Sequence, residues 1–333
     1  MEFDMPVLAN IVRLDFCRGI LKPVAMVVTT ALLMSSSVGA LAEEPDYEGV
    51  SIQLWSVKEE VTADVRGTLK SLAGMGFDGV ELAGDLGDFA NDPEGFKAYL
   101  DKLGMTISAA HVGVDQFSEE NFDKTIKFYQ ALDVDQLIVP MDARAWDPEQ
   151  IDSLVADLNR IAESLEPYDM QTGYHNHHRE FDTYKDSTFF DYIARNTPDN
   201  VLLQVDVGWA YFAGQDPAEI LTRYRDRIKT VHFKAQMTRY ADIRQQAEEA
   251  AKEHPFGEFG VIFQHNQAAA DNHETIQPLI GQDRLDWPSI INALDSAEEP
   301  VWFVVEQEIY PKNMDPMTAV ETSMNGLKAE LSQ

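Results

Sequence analysis

Residues 201–217 read VLLQVDVGWAYFAGQDP, and this stretch indicates the fold of the chain. It begins with a run of β-type residues, VLLQVDVG, that is largely apolar. It ends with Asp216-Pro217, a carboxylate at a helix N-cap followed by proline at the first helical position. A strand that leads into a capped helix is the repeating unit of parallel α/β folds.

The same kind of run occurs eight times, at intervals that leave room for one helix each. The runs begin at Gly49, Phe77, Met105, Gln136, Met170, Val201, Ile228 and Val301. Three more Asp-Pro pairs, at Asp92, Asp147 and Asp315, mark helix starts. We therefore predict a closed (β/α)8 TIM barrel. An open doubly wound sheet is less favoured, because no Gly-rich dinucleotide-binding turn joins a run to the helix that follows it.

The last interval, residues 236–300, is about twice as long as a βα unit needs. We predict a single barrel domain over residues 43–333 with an insertion at about 236–280. Because the insertion follows the seventh strand, it should lie at the catalytic end of the barrel as a loop or lid. Three histidines of the insertion are expected to be surface or hydrogen-bonding residues, since no strand fixes their geometry: His254, His265 and His273.

Residues 1–42 are predicted to be a signal peptide. Three basic residues precede the apolar run PVAMVVTTALLMSSSVGA, which leads to Ala40-Leu41-Ala42. A membrane anchor is the alternative, but the apolar stretches are shorter than the roughly 20 residues that span a bilayer. We expect cleavage after Ala42 and a periplasmic or secreted protein that does not contact the membrane afterwards. The only cysteine, Cys17, lies in this segment, so no cysteine ligand is expected in the mature chain.

The chain is strongly acidic, with 57 Asp and Glu residues against 26 Lys and Arg residues and a formal net charge of −31. Such a surface repels phosphate backbones and anionic membranes, so nucleic acid is not expected as a partner. A homo-oligomer is compatible with this composition.

Polar residues gather at the ends of the predicted strands, where TIM barrels place their catalytic groups. Period-two alternation puts these residues on one face of each strand, while the residues between them are largely apolar. The last four strands contribute His175 and His177, Asp206, His232 and Lys234, and Glu306 and Glu308, and earlier strands add Glu81 and His111.

Imidazoles and carboxylates without thiolates predict a site for manganese, cobalt, zinc or iron(II), with open positions for oxygen ligands of a substrate. Each residue alone also fits a hydrogen-bonded polar residue in a barrel mouth. Their coincidence on four consecutive strands favours a shared site.

The motifs YHNHHREF, QVDVGWAYFAGQDP, VHFK and VVEQE, in this order, resemble the sugar-phosphate isomerase/epimerase group of xylose isomerase-like TIM barrels. The resemblance covers most of residues 49–330. It implies one divalent metal ion held by strand-end carboxylates and a histidine, and proton transfer next to a sugar carbonyl. By this resemblance Asp206, His232 and Glu306 match the metal ligands of strands six, seven and eight.

His175 is assigned as the ligand of strand five, where many relatives carry glutamate. A neutral imidazole here leaves two anionic ligands to balance a dication, which suits a transition metal, manganese first, better than magnesium or calcium. Glu180 is the alternative ligand if the chain curls back. The sequence also departs from the group at Trp209, where many relatives have histidine, and at Ala235, where aspartate is common.

The expected function is that of a metal-dependent isomerase or epimerase that abstracts a proton beside the carbonyl of a small sugar or keto-sugar. The candidate bases are Glu308, Glu81, His177 and His111, while Lys234 would stabilise an oxyanion or donate a proton. Loss of a β-substituent from a 3-keto-glycoside, by a lyase or dehydratase, is the alternative on the same site. A non-catalytic periplasmic sugar-binding protein is the alternative of another class. Export favours an unphosphorylated substrate.

Overall fold

The computed structural model describes residues 47–295 and 299–333. The predicted signal peptide lies outside these residues. Every helix within the described ranges is too short or too polar to cross a bilayer.

Eight parallel strands form a closed barrel, and the last strand pairs with the first to close it. Each strand overlaps one of the eight predicted runs, so the predicted (β/α)8 barrel is confirmed. The strands are β1 (Tyr47–Gln53), β2 (Gly79–Leu82), β3 (Thr106–His111), β4 (Gln136–Val139), β5 (Gln171–His175), β6 (Leu202–Asp206), β7 (Thr230–Lys234) and β8 (Val301–Glu306).

The helices follow the strands along the chain. Asp92, Asp216 and Asp315 each cap a helix that begins with proline, as predicted. Asp147 instead accepts a hydrogen bond from the backbone N–H of Glu149, and the helix begins only at Ile151. The helices are α1 (Lys58–Met75), α2 (Pro93–Leu103), α3 (Phe122–Ala131), α4 (Ile151–Leu165), α5 (Phe189–Asn196), α6 (Val207–Phe212), α7 (Pro217–Tyr224), α8 (Arg244–Ala250), α9 (Gly257–Asn272), α10 (Trp287–Asn292) and α11 (Pro316–Leu331).

The apolar face of the strands packs outward against the helices. In β7, Phe233 is fully buried, and its ring lies 4.5 Å from Phe303 of β8 and 5.5 Å from Trp287 of α10. Val205 and Val231 belong to the same apolar core. Because side chains alternate along a strand, this packing turns the polar residues of the same strands toward the barrel interior.

A close contact between α6 and β7 requires glycine at position 208. A Cβ atom on Gly208 would collide with the backbone oxygen and Cβ of Lys234. Glycine therefore allows α6 to start directly after Asp206 while it packs against β7, which brings Asp206 and Lys234 together.

Helices α8 and α9 form the insertion between β7 and α10. Phe259 and Phe263 of α9 line the same cavity as His175 and Glu306, so the insertion lies at the C-terminal ends of the strands, the end expected from the sequence. His254 is hydrogen-bonded to Gln264 in the insertion. The described residues bring none of the three insertion histidines into a group that could hold a metal ion.

Polar contacts attach the insertion to the loop after β5. The carboxylate of Glu258 in α9 accepts a hydrogen bond from Arg179 at 3.0 Å and another from the hydroxyl of Tyr240. Arg244 of α8 donates to Asp182 at 2.6 Å. The loop that follows strand-end residue His175 is therefore held by the insertion.

Candidate active site

Glu81 of β2 is the centre of a buried polar network inside the barrel. Burial opposes its ionisation, but the neighbouring imidazoles of His232 and His111 lower its pKa to about 2. Its carboxylate is therefore ionised and only accepts hydrogen bonds. Four side chains contact it: Gln53 at 2.6 Å, Gln204 at 2.7 Å, His232 at 2.7 Å and His111 at 3.0 Å.

The position of Glu81 contradicts the prediction that this residue is a candidate base. The side chain is completely buried and is absent from the cavity wall described below. With four polar partners around it, the carboxylate orients its neighbours and has no exposed oxygen with which to reach a substrate.

The network fixes which nitrogen of His175 carries hydrogen. Because the amide Nε2 of Gln204 donates to Glu81, its oxygen Oε1 faces Nδ1 of His175 at 2.9 Å and Nε2 of His111 at 2.8 Å. An amide oxygen only accepts, so both imidazole nitrogens carry hydrogen. The other nitrogen of His175, Nε2, keeps its lone pair and lies 4.0 Å from Oδ2 of Asp206.

Four consecutive strands bring four donor atoms together, and these are the four ligands predicted from the sequence. Asp206 carries the clearest sign of an absent partner: its Oδ1 accepts from the backbone N–H of Trp209 at 2.7 Å, whereas Oδ2 is buried without a hydrogen-bond partner among the described residues. Burial, together with nearby Glu306, raises the pKa of Asp206 to about 7. The donor atoms lie within 4.8 Å of one another and belong to His175, Asp206, His232 and Glu306.

His232 lies between two carboxylates. Its Nε2 is 2.7 Å from Glu81 and its Nδ1 is 2.9 Å from Glu306. Burial favours the neutral ring, but these two carboxylates raise the pKa of His232 to about 10. A metal ion would displace the proton on Nδ1, and Glu81 would hold the ring from behind, as carboxylates commonly do for ligating histidines.

The residues present therefore fit a divalent ion. A carboxylate oxygen that no described residue hydrogen-bonds and a free imidazole lone pair face each other, and two further donors complete a mixed nitrogen and oxygen set. A second group, of His111, His175 and His232, is equally compact. The Nε2 atom of His111 is already engaged by Gln204 and Glu81, so the first group is the better candidate to hold an ion.

Glu180 is not part of either group, which corrects its assignment as the alternative ligand of strand five. Its carboxylate accepts hydrogen bonds from the hydroxyl of Tyr174 at 2.8 Å and from the backbone N–H of His177 at 3.0 Å. Tyr174 packs in the apolar core outside β5. Glu180 therefore stabilises the turn after the strand and faces away from the donor group.

Lys234 joins the donor group to a further carboxylate. Its Nζ lies 3.2 Å from Glu306 and 3.6 Å from Asp206, and it also contacts Glu308. Burial opposes its positive charge, but these three carboxylates raise the pKa of Lys234 above its usual value. Burial also raises the pKa of Glu308, with Glu306 adding to the effect. Lys234 and Glu308 thus form an ammonium–carboxylate pair beside the donor group.

His177 and Glu308 lie in loops and not on strands as predicted, since β5 ends at His175 and β8 ends at Glu306. Both nevertheless line the cavity, and so does His111. Within the described ranges Nδ1 of His177 is buried without a hydrogen-bond partner. Burial, and then the charge of Lys234, holds the pKa of His177 well below its usual value, so the ring is neutral.

Three amide side chains that the sequence analysis did not identify support the site. Gln53 and Gln204 bind Glu81, as described above. Asn176 accepts from the backbone N–H of Asp206 at 3.1 Å and donates to the backbone oxygen of the same residue at 3.3 Å. The signal in the sequence was weak: each is an uncharged polar residue within or directly after a β-type run.

The cavity above the donor group has a volume of about 1080 Å³. Its inner end is polar, and its mouth combines exposed apolar side chains with Lys58, His254 and Gln264. The inner wall includes His111, His175, His177, Glu306 and Glu308, with the ring of Phe259 5.4 Å from that of His177, and the exposed apolar residues of the mouth are Trp55, Met141 and Phe256.

A closed parallel barrel with a His/Asp/Glu group at its strand ends and an ammonium–carboxylate pair beside it has the architecture of a TIM-barrel enzyme. Residues 69–330 match the family described as xylose isomerase-like TIM barrel, and the chain belongs to this family. The resemblance found in the sequence motifs is thereby confirmed.

The chain is 25% identical over 262 residues to the inosose dehydratase of Lacticaseibacillus casei, across 72% of this chain and 81% of that protein. A solved sugar phosphate isomerase/epimerase from Parabacteroides distasonis has a TM-score of 0.62 and 20% identity, and the match covers 89% of this chain and 97% of that one. For the probable 3-DHS dehydratase of Bacillus anthracis the TM-score is 0.59 at 14% identity, over 84% and 98%. The two solved structures show that the fold is shared.

Proposed function

We propose that the protein is a divalent-metal-dependent lyase that removes a proton beside the carbonyl of a small sugar or keto-sugar and expels the substituent one carbon further along. The observation that carries this proposal is the contact between the Lys234–Glu308 pair and the donor group at the inner end of one cavity. An acid–base pair beside a metal-binding group is what proton abstraction from a carbon acid requires.

The residues divide the work as follows. His175, Asp206, His232 and Glu306 would hold a divalent ion, manganese first and cobalt, zinc or iron(II) as alternatives, which would supply Lewis-acid stabilisation of the charge that develops on the carbonyl oxygen. Glu308 takes the proton, because its raised pKa makes its carboxylate a stronger base than an exposed one. As a carboxylic acid, Glu308 then donates that proton to the departing oxygen. Lys234 stays protonated and stabilises negative charge on the substrate.

The neutral imidazole of His177 and the imidazole of His111 line the cavity and are suited to hydrogen-bond substrate hydroxyls. Glu81 acts indirectly: it orients His232 and, through Gln204, sets the tautomer of His175. We therefore propose Glu81 as a positioning residue and not as the base.

Elimination is favoured over epimerisation for two reasons. First, the Lacticaseibacillus casei protein that aligns over 81% of its length is an inosose dehydratase. Removal of water beside a carbonyl begins with abstraction of the proton next to that carbonyl. Epimerisation would need a second proton carrier on the opposite face of the substrate. His177 is poorly suited to that role, because its pKa lies well below neutral pH. Isomerisation or epimerisation remains the alternative outcome of the same first step.

Metal-loaded protein incubated with keto-sugars and glycosides in deuterated buffer tests the proposal. Loss of water or of the glycosidic substituent, detected by mass spectrometry, would support a lyase. Solvent deuterium in a recovered or rearranged sugar without elimination would indicate an epimerase or isomerase. Sugar binding without exchange or product, with and without added metal, would contradict an enzyme and indicate a sugar-binding protein.

We also propose that the protein is exported and acts on an unphosphorylated substrate. The basic, apolar and small-residue segments before Glu43 support export. Mass spectrometry of the soluble protein from its native host should find an N-terminus near Glu43. Recovery of soluble protein that still begins at Met1 would contradict the proposal.

A further inference from the structure

Exposed apolar side chains are concentrated at the cavity mouth. Four large hydrophobic residues are exposed in the part of the chain that the structure describes, and three of them line this cavity: Trp55 (42% exposed), Met141 (43%) and Phe256 (78%). They come from three separate segments, after β1, after β4 and before α9. The fourth, Tyr168, lies elsewhere and contacts Phe122. Convergence of exposed apolar groups from distant segments marks a binding surface.

The cavity is larger than the polar donor group needs. Its volume of about 1080 Å³ slightly exceeds the range of about 300–1,000 Å³ that holds drug-sized ligands. A sugar ring held at the donor group by His175 and Glu306 would leave the outer end, with Phe256 and Trp55, unfilled. The continuity of the two ends within one cavity indicates a single ligand with a polar and an apolar part.

We propose that the mouth is a second subsite that binds an aromatic group attached to the sugar, so that the substrate is an aryl glycoside or its keto derivative. This inference rests on the proposed function, which places the sugar ring at the inner end. Flat rings at Trp55 and Phe256 offer stacking surfaces, and Met141 offers an adaptable apolar one. Lys58 lies 4.2 Å from the centre of the Trp55 ring and helps to hold it in place.

Charge favours a small ligand over a second copy of the chain as the group that covers this surface. The chain carries a net charge of −31, so two copies repel each other, whereas an uncharged aromatic group does not meet this repulsion.

Isothermal titration calorimetry of the metal-loaded protein tests the subsite without depending on turnover. The probes are 4-nitrophenyl and methyl β-D-glucopyranoside, with the two α-anomers as a second pair. In at least one pair we expect the aryl glycoside to bind about tenfold more tightly than the methyl glycoside, which is ~1.4 kcal/mol. Phe256→Ala and Trp55→Ala should each reduce this preference at least threefold, and Tyr168→Ala, the matched control, should leave it unchanged.

Equal affinities of aryl and methyl glycosides in both pairs would overturn the subsite, even if deuterium exchange upheld the proposed function. A retained aryl preference in a protein without exchange or product would uphold the subsite and contradict the enzyme. A Phe256→Ala protein that keeps the full preference but changes from dimer to monomer by light scattering would overturn the inference and assign the surface to self-association. Circular dichroism confirms that each variant is folded.

Discussion

The two halves of the barrel contribute differently to the site. Strands β5–β8 supply all four donor atoms of the metal-binding group. Strands β1–β3 supply Glu81, which contacts His232, His111, which contacts the Gln204 amide beside His175, and Gln53, which holds Glu81. We call strands β5–β8 the ion-holding half, because their side chains would hold the ion. Strands β1–β3 are the supporting half, because they help to orient those side chains.

This division has an electrostatic reason. A completely buried carboxylate at Glu81 would be costly without partners, but His232 and His111 keep it ionised. The resulting fixed negative charge lies behind the donor group and orients its imidazoles. The candidate ligand His232 and its support Glu81 thus lie on strands that are not neighbours in the barrel, 151 residues apart along the chain.

The strongest test of the ion-holding half is Asp206→Asn, which keeps an oxygen for the cap to Trp209 and removes the anionic donor. We expect metal to be lost on dialysis and turnover to fall by at least about 10³-fold, because the Lewis acid goes with it. Metal analysis and initial rates measure both effects. Glu180→Gln is the control and should retain metal, and full metal content in Asp206→Asn would refute the ligand assignment.

The next largest effect is expected for Glu308→Gln, which separates chemistry from ion binding in the same half. Turnover should fall by about 10²–10⁴-fold with metal content unchanged, because an amide cannot accept the proton. Deuterium exchange into substrate should also disappear. A variant that loses its metal, or one that exchanges deuterium at the original rate, would remove Glu308 from the role of base.

A smaller effect is expected in the supporting half. Glu81→Gln should weaken metal affinity by roughly 10–100-fold, the usual range for residues behind the ligands. Competition with a coloured chelator measures the affinity. Glu299→Gln is a matched control, since this carboxylate pairs with Lys229 away from the site. An unchanged affinity in Glu81→Gln would break the division between the two halves.

The smallest effect is expected at the insertion, which is attached to the ion-holding half through Glu258. Burial opposes the charge of Glu258, but the neighbouring imidazole of His178, 3.9 Å away, and the hydrogen bond from Tyr240 lower its pKa from 4.5 to about 2. A lowered folded pKa stabilises the attachment above pH 4.5, and this contribution is lost as the pH falls toward 2. Burial also lowers the pKa of His178, so its protonation in acid disfavours the folded attachment as well.

Hydrogen exchange of metal-free protein at pH 7 and pH 3, corrected for intrinsic rates, measures this attachment. The opening equilibrium constant of residues 257–272, relative to that of residues 151–165, should be about fivefold larger at pH 3 than at pH 7. This factor corresponds to the free energy of a partly exposed ion pair. Glu258→Gln should open more at pH 7 and lose most of the pH dependence. If the protection of residues 257–272 relative to residues 151–165 is the same at pH 7 and pH 3, the contact is unimportant for the attachment.

Much of the fold could be predicted from the sequence because its signals are local. The eight β-type runs stand out by composition, and three Asp-Pro pairs start helices. The donor residues stand out because charged groups alternate with apolar ones in strands such as β7. At Asp147 the same signal was misleading, because an aspartate that caps a turn resembles one that caps a helix.

The rest of the site depends on distances that sequence does not encode. Period-two alternation gives the face of Glu81 but not its depth in the barrel, so its exclusion from the cavity could not be predicted. Gln204 reaches Glu81 across 123 residues and carries no charge to draw attention to it. The end of β5 at His175 depends on its last pairing with Gln204, which only the assembled sheet defines.

The loop after β5 and the insertion also have a consequence for protein engineering. Surface insertions are often exchanged freely between related domains. Here the ring of His178 is enclosed by Trp209, Tyr240 and Phe259, and the last two belong to the insertion. A chimera that replaced the insertion alone would remove two of the rings around this imidazole, which lies three residues after the candidate ligand His175. The GYHNHHREF loop and the insertion therefore form one exchangeable cassette, and a transplant that preserves the site must carry both.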